Sequence, residues 1–251
     1  MTSEDYKHFV AIVAGEDPEK LMEPYDSTKK VTPYLVYKHS DATHLKELHM
    51  KMYEAALKNE NLSESDREDL LADYSWLATA TPEEFYEDLT DGMTLDARTK
   101  DAYSEVNKLG KWRHHQLGKN FSIPFMTLTG EEKYQAHKSE IDWSVMHLSG
   151  QDVYRKAWEM VMEGAEPQNE TEKLIYNNMK ERKVYFSKFG TKENYVISST
   201  AFWGYAFLSA DTGWVELEDT DNQYEWVKNF YDRFITPLPE DTQLSVYECI
   251  K

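Results

Sequence analysis

The chain has 251 residues and a formal charge of -18, with 46 acidic against 28 basic side chains. That balance argues against DNA or RNA as a direct ligand, because a phosphate backbone recruits Lys and Arg. It suits a protein that meets a basic surface, or one that needs charge only for solubility.

Hydrophobic content of 40%, with 17 Tyr and 7 Trp, predicts a folded core rather than disorder. The single cysteine, Cys249, rules out an internal disulfide framework and a Cys-based zinc cluster, and it fits a reducing compartment. Met1 to Tyr6 holds no basic region followed by an apolar stretch, and no apolar run approaches about 18 residues. The expected location is the cytoplasm. Neither a membrane nor a cofactor is expected.

In chain order, Phe9 to Val13 is a short apolar run stopped by Gly15 and predicts a buried strand. Asp17-Pro18 opens a turn or short helix through Met22. Tyr34 to Tyr37 predicts a second strand, with Pro33 at its start. Leu45, Leu48, Met52, Ala55 and Ala56 recur at three- and four-residue steps, which predicts an amphipathic helix to about Asn59. Ser63 with Asp66 predicts a cap for a second helix, and Thr81-Pro82-Glu83-Glu84 starts a third that ends near Gly92. Between Glu60 and Asp91 these helices carry eleven acids and one base, Arg67.

Met93 to Lys108 has no clear period and reads as a long loop. Trp112 to Leu128 predicts two strands broken near Gly118, and Glu131 to His137 a helical turn. Asp152 to Met162 and Glu170 to Lys183 predict helices. Tyr195 to Leu208, rich in aromatic and β-branched residues, reads as a strand pair or one long bent strand. Trp214 to Leu217 is a further strand, Asn222 caps a helix, and Leu244 to Tyr247 alternates as a last strand. This order predicts one α+β domain over residues 1–251, a mainly antiparallel sheet packed by helices, with residues 41–92 as an acidic helical insertion.

Four stretches carry a resemblance. They are Gly110-Lys-Trp112 with Leu117-Gly118, Glu140-Ile-Asp-Trp143, Phe202-Trp-Gly204, and Leu238-Pro-Glu-Asp-Thr242 leading to Ser245-Val-Tyr-Glu-Cys249. Their order and spacing resemble a family of uncharacterised proteins encoded by bacteriophages and prophages. In that family a Gly-Lys-Trp segment precedes Gly-Gly-Arg-Trp, Asp-Ile-Asp-Trp and Gly-Trp-Trp-Gly follow, and the chain closes on Leu-Pro-Asp-Asp-Thr and a strand ending near a Cys. Val10 to Gly15 and Val31 to Lys38 are similar to one branch of it. Gly118-Lys-Asn-Phe121 stands where the family has Gly-Gly-Arg-Trp, so no role of that Arg carries over. The resemblance implies viral origin and names no reaction.

Phosphate-binding and dinucleotide loops, HExxH, GxSxG and EF-hand patterns are absent from the sequence. His44 and His49 sit five apart on one helix and do not face each other. Trp112, His114, His115, Asp142, Trp143 and Trp203 define one candidate ligand pocket, with aromatic rings to stack a base and a His–carboxylate pair for acid–base work. Core packing of the tryptophans and a helix cap at Asp142 are the plain alternatives.

The other candidate is the acidic band: Glu64, Glu68, Asp69, Asp73, Glu83, Glu84, Glu87 and Asp88. Carboxylates one helical turn apart are about 6 Å from each other, comparable with successive phosphates on a strand, and their repulsion costs the helix a few tenths of a kcal/mol per pair. The plain alternative is a solvated helix face. The expected function is a non-enzymatic phage or prophage protein that binds a host protein with a basic surface, such as a nucleic-acid-handling defence complex. A small-molecule or nucleotide-binding enzyme is the alternative.

Overall fold

The computed structural model describes residues 7–59, 62–218 and 222–251. Met1 to Tyr6, Glu60 of the acidic band and Asn61 lie outside the described residues. In chain order come strand β1 (His8–Ala14), helix α1 (Pro18–Met22), strand β2 (Tyr34–Tyr37), and helices α2 (Ala42–Leu57), α3 (Glu64–Thr79) and α4 (Pro82–Leu89). Strands β3 (Thr94–Leu95), β4 (Ala102–Ser104), β5 (His114–Leu117), β6 (Phe125–Met126), β7 (Glu132–Lys133) and β8 (Gln135–His137) follow. Helices α5 (Trp143–Met146), α6 (Gln151–Met162), α7 (Glu170–Met179), α8 (Lys183–Ser187) and α9 (Lys192–Thr200) come next. The chain closes with β9 (Ala206–Ser209), β10 (Gly213–Glu216), α10 (Gln223–Phe230) and β11 (Gln243–Ile250).

The fold is α+β with mainly antiparallel sheets; only β1 and β9 pair in parallel among the described strands. The chain divides into two compact units, Met1–Thr28 with Leu109–Lys251, and Lys29–Lys108. The acidic helices of residues 41–92 fall inside the second unit, together with β2, β3 and β4.

The first unit is built on a sheet of order β10-β9-β1-β11-β5, with β8 also pairing β11. β1 reads as a continuous apolar run because both of its faces are covered. Phe9, Ala11 and Val13 face a cluster with Met22, Trp112, Leu208, Tyr247 and Cys249. Ile12 and Ala14 face the opposite cluster, with Phe125, Phe202, Phe207, Phe230, Phe234 and Val246. A third cluster, centred on Trp158, Phe186 and Tyr195, joins α6, α8 and α9. Trp226 Nε1 on α10 donates to the Gly204 carbonyl (2.8 Å). Gly204 passes so close to β1 that a Cβ there would fall 2.9 Å from Ile12 Cγ1.

The second unit pairs β2-β4-β3 beside three helices. Its central cluster is small: Ala42, Tyr86 and Ala102, with Tyr37, Leu45 and Met93 around it. Polar ties supplement it. Arg67 donates to the carbonyls of Leu57 (2.9 Å) and Asn59 (3.0 Å), Lys46 to that of Ala80 (2.6 Å), and the Tyr86 hydroxyl lies 3.1 Å from the carbonyls of Tyr37 and Lys100. Thr81 and Glu84 form the complete capping box of α4.

Three expectations are corrected. Met93 to Lys108 is not one loop: Asp96 accepts from the N–H groups of Arg98 and Thr99, turning the chain so that β3 pairs β4. Glu131 to His137 is not helical; Gly130, at φ +80, lets β7 fold back on β6, and β8 joins β11. The start of Tyr195 to Leu208 is helix, not strand. The Thr191 hydroxyl caps α9, and burial of Tyr195 and Val196 against Trp158 overrides their β preference.

Two carboxylates are buried among the described residues of the first unit, Glu172 and, more deeply, Glu248. Glu248 lies on the same face of β11 as Leu244 and Val246 by the period of two, and it is 2% exposed. Its Oε1 accepts from the backbone N–H groups of Lys119 (3.0 Å), Asn120 (2.7 Å), Phe121 (2.8 Å) and Ser122 (2.9 Å), and from the Ser122 hydroxyl (2.9 Å). Oε2 accepts from the Gln116 side-chain amide (2.8 Å). Burial alone would raise its pKa, but these N–H donors outweigh it and hold the carboxyl well below its ordinary range. Gly118 makes the turn possible, since a Cβ there would fall 2.2 Å from Ser122 Oγ.

Replacing Glu248 with Gln removes the charge that four amides converge on. The expected loss is about 3 kcal/mol of stability, read from urea unfolding with an unchanged m-value. The contribution is complete above about pH 4.3, the ordinary Glu pKa, and is lost as pH falls from there through the depressed native value. An unchanged midpoint would show the cradle to be dispensable.

Candidate functional site

All eight acids of the band are exposed. None makes an ion pair among the described residues. Glu84 has a local role, accepting the Thr81 N–H (2.7 Å), and Asp73 lies 3.4 Å from the Tyr53 hydroxyl. Arg67, the one base of the stretch, is turned onto backbone carbonyls and neutralises none of them.

At 100° per residue, Glu64, Glu68 and Leu71 fall on one stripe of α3, and Asp69, Asp73 and Trp76 on another. The stripes lie about 140° apart, one on each flank of the packed face that holds Leu77. Leu71 and Trp76 are both exposed. Each acidic pair is therefore followed, one turn on, by a large apolar side chain open to solvent.

The six residues of the other candidate do not assemble. Trp112 and His115 pack on one face of the sheet, ring centroids 4.1 Å apart and planes tilted by 50°, beside Tyr247. His115 Nε2 lies 2.7 Å from Glu19 Oε2, and the Tyr247 hydroxyl donates to Glu19 Oε1 (2.8 Å). Burial works to raise the Glu19 pKa, but the hydrogen bonds of His115 and Tyr247 bring it below its usual value. His114 is exposed on β5. Trp143 packs in the opposite cluster, against Phe125, Phe202 and Tyr231. Asp142 caps α5, accepting from the Ser144 N–H (3.1 Å) and hydroxyl (2.5 Å). His115 and Asp142 therefore serve opposite sides of the main sheet. Adjacency in sequence had suggested otherwise; the alternation of β1 and β11 separates them.

Trp203 is only half-buried and lines a cleft of about 930 Å³ in the first unit. The floor is Val10 and Ile12 of β1 with Val246 of β11; the walls come from the chain after Gly118, the α5–α6 joint and the end of α9. Sequence patterns missed this cleft. The available signal was weak: Val145 and Val153 are apolar at positions that α5 and α6 leave exposed. Glu248, which fixes one wall, was legible only as an acid interrupting the inward row of Leu244, Val246 and Ile250.

Among the described residues there is no group of three or more His, Cys, Asp or Glu that could hold a metal ion, and no helix is long and apolar enough to cross a membrane. Cys249 is buried and its thiol is pushed up to about 12 by burial, so it is a poor nucleophile at neutral pH. Comparison with family models, curated proteins and solved structures found no match.

His147 holds the backbone just before Trp203: its Nδ1 accepts the Phe202 N–H (3.1 Å) while its ring stacks on Tyr231 at 4.1 Å. Burial lowers its pKa from the ordinary 6.5, against an opposing pull from Asp232. The unfolded chain therefore takes up a proton first. Stability should be full above about pH 6.5 and fall as pH drops from there through the depressed native value. His147→Gln should flatten that part of the pH dependence, measured by melting temperature between about pH 5 and 7.5. An identical pH slope in the variant would mean that His147 does not titrate on unfolding.

Proposed function

We propose that this protein is a non-enzymatic, phage- or prophage-type binding protein. Its acidic helices engage the basic, nucleic-acid-handling surface of a host protein, carboxylates taking the place of phosphates. The observation that carries this is the set of exposed carboxylates without ion-pair partners, together with an internal base that is turned away from them.

Two further features support it. Within Lys29–Lys108 the charge is segregated: the stretch from Glu60 to Asp91 has eleven acids and one base, whereas the rest of that unit has six acids and nine bases. Solubility alone is served by mixed charge. Secondly, each acidic stripe carries an exposed apolar side chain, Leu71 on one and Trp76 on the other, and Trp is of the kind that dominates interface energetics. Because the stripes flank the helix on two sides, the complementary surface is concave rather than flat. A channel or groove that holds nucleic acid has that shape and charge.

Glu64, Glu68, Asp69 and Asp73 changed to Gln or Asn should leave the fold as stable or slightly more so, since like-charge repulsion is relieved. Partner capture from bacterial lysate should be lost in that variant, and in the wild type it should fall steeply as salt rises beyond about 0.15 M. Neutralising Glu166, Glu181 and Asp211, exposed acids of the other unit, should do much less. Equal loss from both sets would reduce the effect to net charge. Capture indifferent to salt and to the variant would overturn the proposal.

A further inference from the structure

We propose that the cleft of the first unit binds an uncharged, mainly apolar small molecule that presents carbonyl or ether oxygens. This inference is independent of the acidic helices.

Size comes first. The cleft holds about 930 Å³, within the range of small-molecule sites and larger than a packing defect. Its rim carries four large apolar side chains that remain open to solvent: Phe121 (46% exposed), Ile123 (74%), Val145 (49%) and Val153 (49%). They converge on one concavity from three separate segments. Scattered exposed hydrophobics need no explanation; a converging set does.

Charge decides the ligand class. The chain is 29% charged, so 25 lining residues at that frequency would include about seven charged ones. Only Glu132 is an acid or base of the Asp, Glu, Lys and Arg set, and His8 is the one histidine in the lining. No Lys or Arg lines the cleft, which leaves an anionic ligand uncompensated.

Three polar groups that line the cleft have a hydrogen to donate and, among the described residues, no acceptor for it. The Ser198 hydroxyl, the Tyr154 hydroxyl and the Trp203 indole N–H line it and find no hydrogen-bond partner among the described residues. The Ser122, Ser149 and Thr200 hydroxyls are already committed, donating to Glu248, Val145 and Val196. The indole N–H can only donate and the two hydroxyls can donate as well as accept, so oxygen acceptors on the ligand satisfy all three. The site is also preformed. The amides that grip Glu248 fix the turn that carries Phe121, and Gly204 is pressed onto β1 beneath Trp203. Little ordering is left to oppose binding.

Nile red is a suitable probe, being uncharged and apolar with a carbonyl and a ring oxygen. On titration into the full chain its emission should shift to the blue and saturate at one dye per chain. Val153→Asp and Ile123→Asp should each weaken binding about tenfold or more, because a carboxylate would have to be desolvated beside the dye. Ser198→Ala and Trp203→Phe should weaken it about threefold to tenfold, the loss of one hydrogen bond each. Val184→Asp, at an apolar side chain outside the cleft that is at least as exposed, should change nothing. Thermal melts report whether each variant is folded, and the rim positions are exposed enough to accept the change.

Equal weakening by Val184→Asp would overturn the proposal, as would several dyes per chain. Tighter binding of the anionic dye anilinonaphthalene sulfonate would overturn the assignment of an uncharged ligand. Dye binding that falls as the chain self-associates in sedimentation would assign the cleft to a second copy instead.

Discussion

Glu248 is the constraint on which the first unit turns. A buried carboxylate costs several kcal/mol in desolvation unless charge-assisted hydrogen bonds replace the lost water. Here four consecutive backbone N–H groups supply them. The same bonds satisfy amides of an irregular segment that has no ladder to join. One interaction therefore solves two burial problems, and it joins β11, the sheet's most heavily paired strand, to the segment that leaves β5. Cradles of successive amides commonly receive external anions. This one is filled from within, so it is an anchor and not a phosphate site. Gly118, in place of any larger residue, is a condition of that arrangement.

Sequence patterns revealed most of the elements marked by an apolar run, a repeating apolar position or a clear cap. The strand at Phe9, the three helices from Leu45 to Asp88 and the last strand all follow from period and capping chemistry. Where the patterns failed, a tertiary contact decided. Tyr195 and Val196 are β-formers, but α9 has a Thr191 cap and a packed partner in Trp158. Glu131 to His137 is too short to show a period, and it becomes strand because β6 and β11 offer open ladders.

The candidate sites were legible to different degrees. Exposure of the acidic band follows directly from its composition, and all eight carboxylates are solvent-facing. The aromatic set does not form a site because proximity along the chain is not proximity in space. A cleft is a property of several distant segments, and no local pattern announces it. Its residues at Phe121, Val153, Ser198 and Trp203 share no motif. Only the assembled sheet gives them a common floor.

The two surfaces answer to different forces. Attraction through exposed carboxylates is screened over about 8–10 Å at physiological salt, whereas transfer of an apolar molecule into a neutral cleft is not. Stability adds weight to the acidic surface. The second unit spans Lys29–Lys108, yet among its described residues the buried apolar side chains are Ala42, Leu77, Ala80, Phe85, Tyr86 and Ala102, three of them alanine. It relies on caps and side-chain-to-backbone bonds such as those of Arg67, Lys46 and Tyr86. A unit with so little apolar burial has a narrow margin, and rows of like charges one turn apart lower it further. Spreading those acids among the nine bases elsewhere in the unit would remove the repulsion and keep the net charge. Glu64, Glu83 and Glu84 are favoured in the first turns of α3 and α4, but the rows that Glu68, Asp69, Asp73, Glu87 and Asp88 extend from there oppose stability, and solubility does not require them. The proposed recognition of a basic surface would account for that concentration of acids.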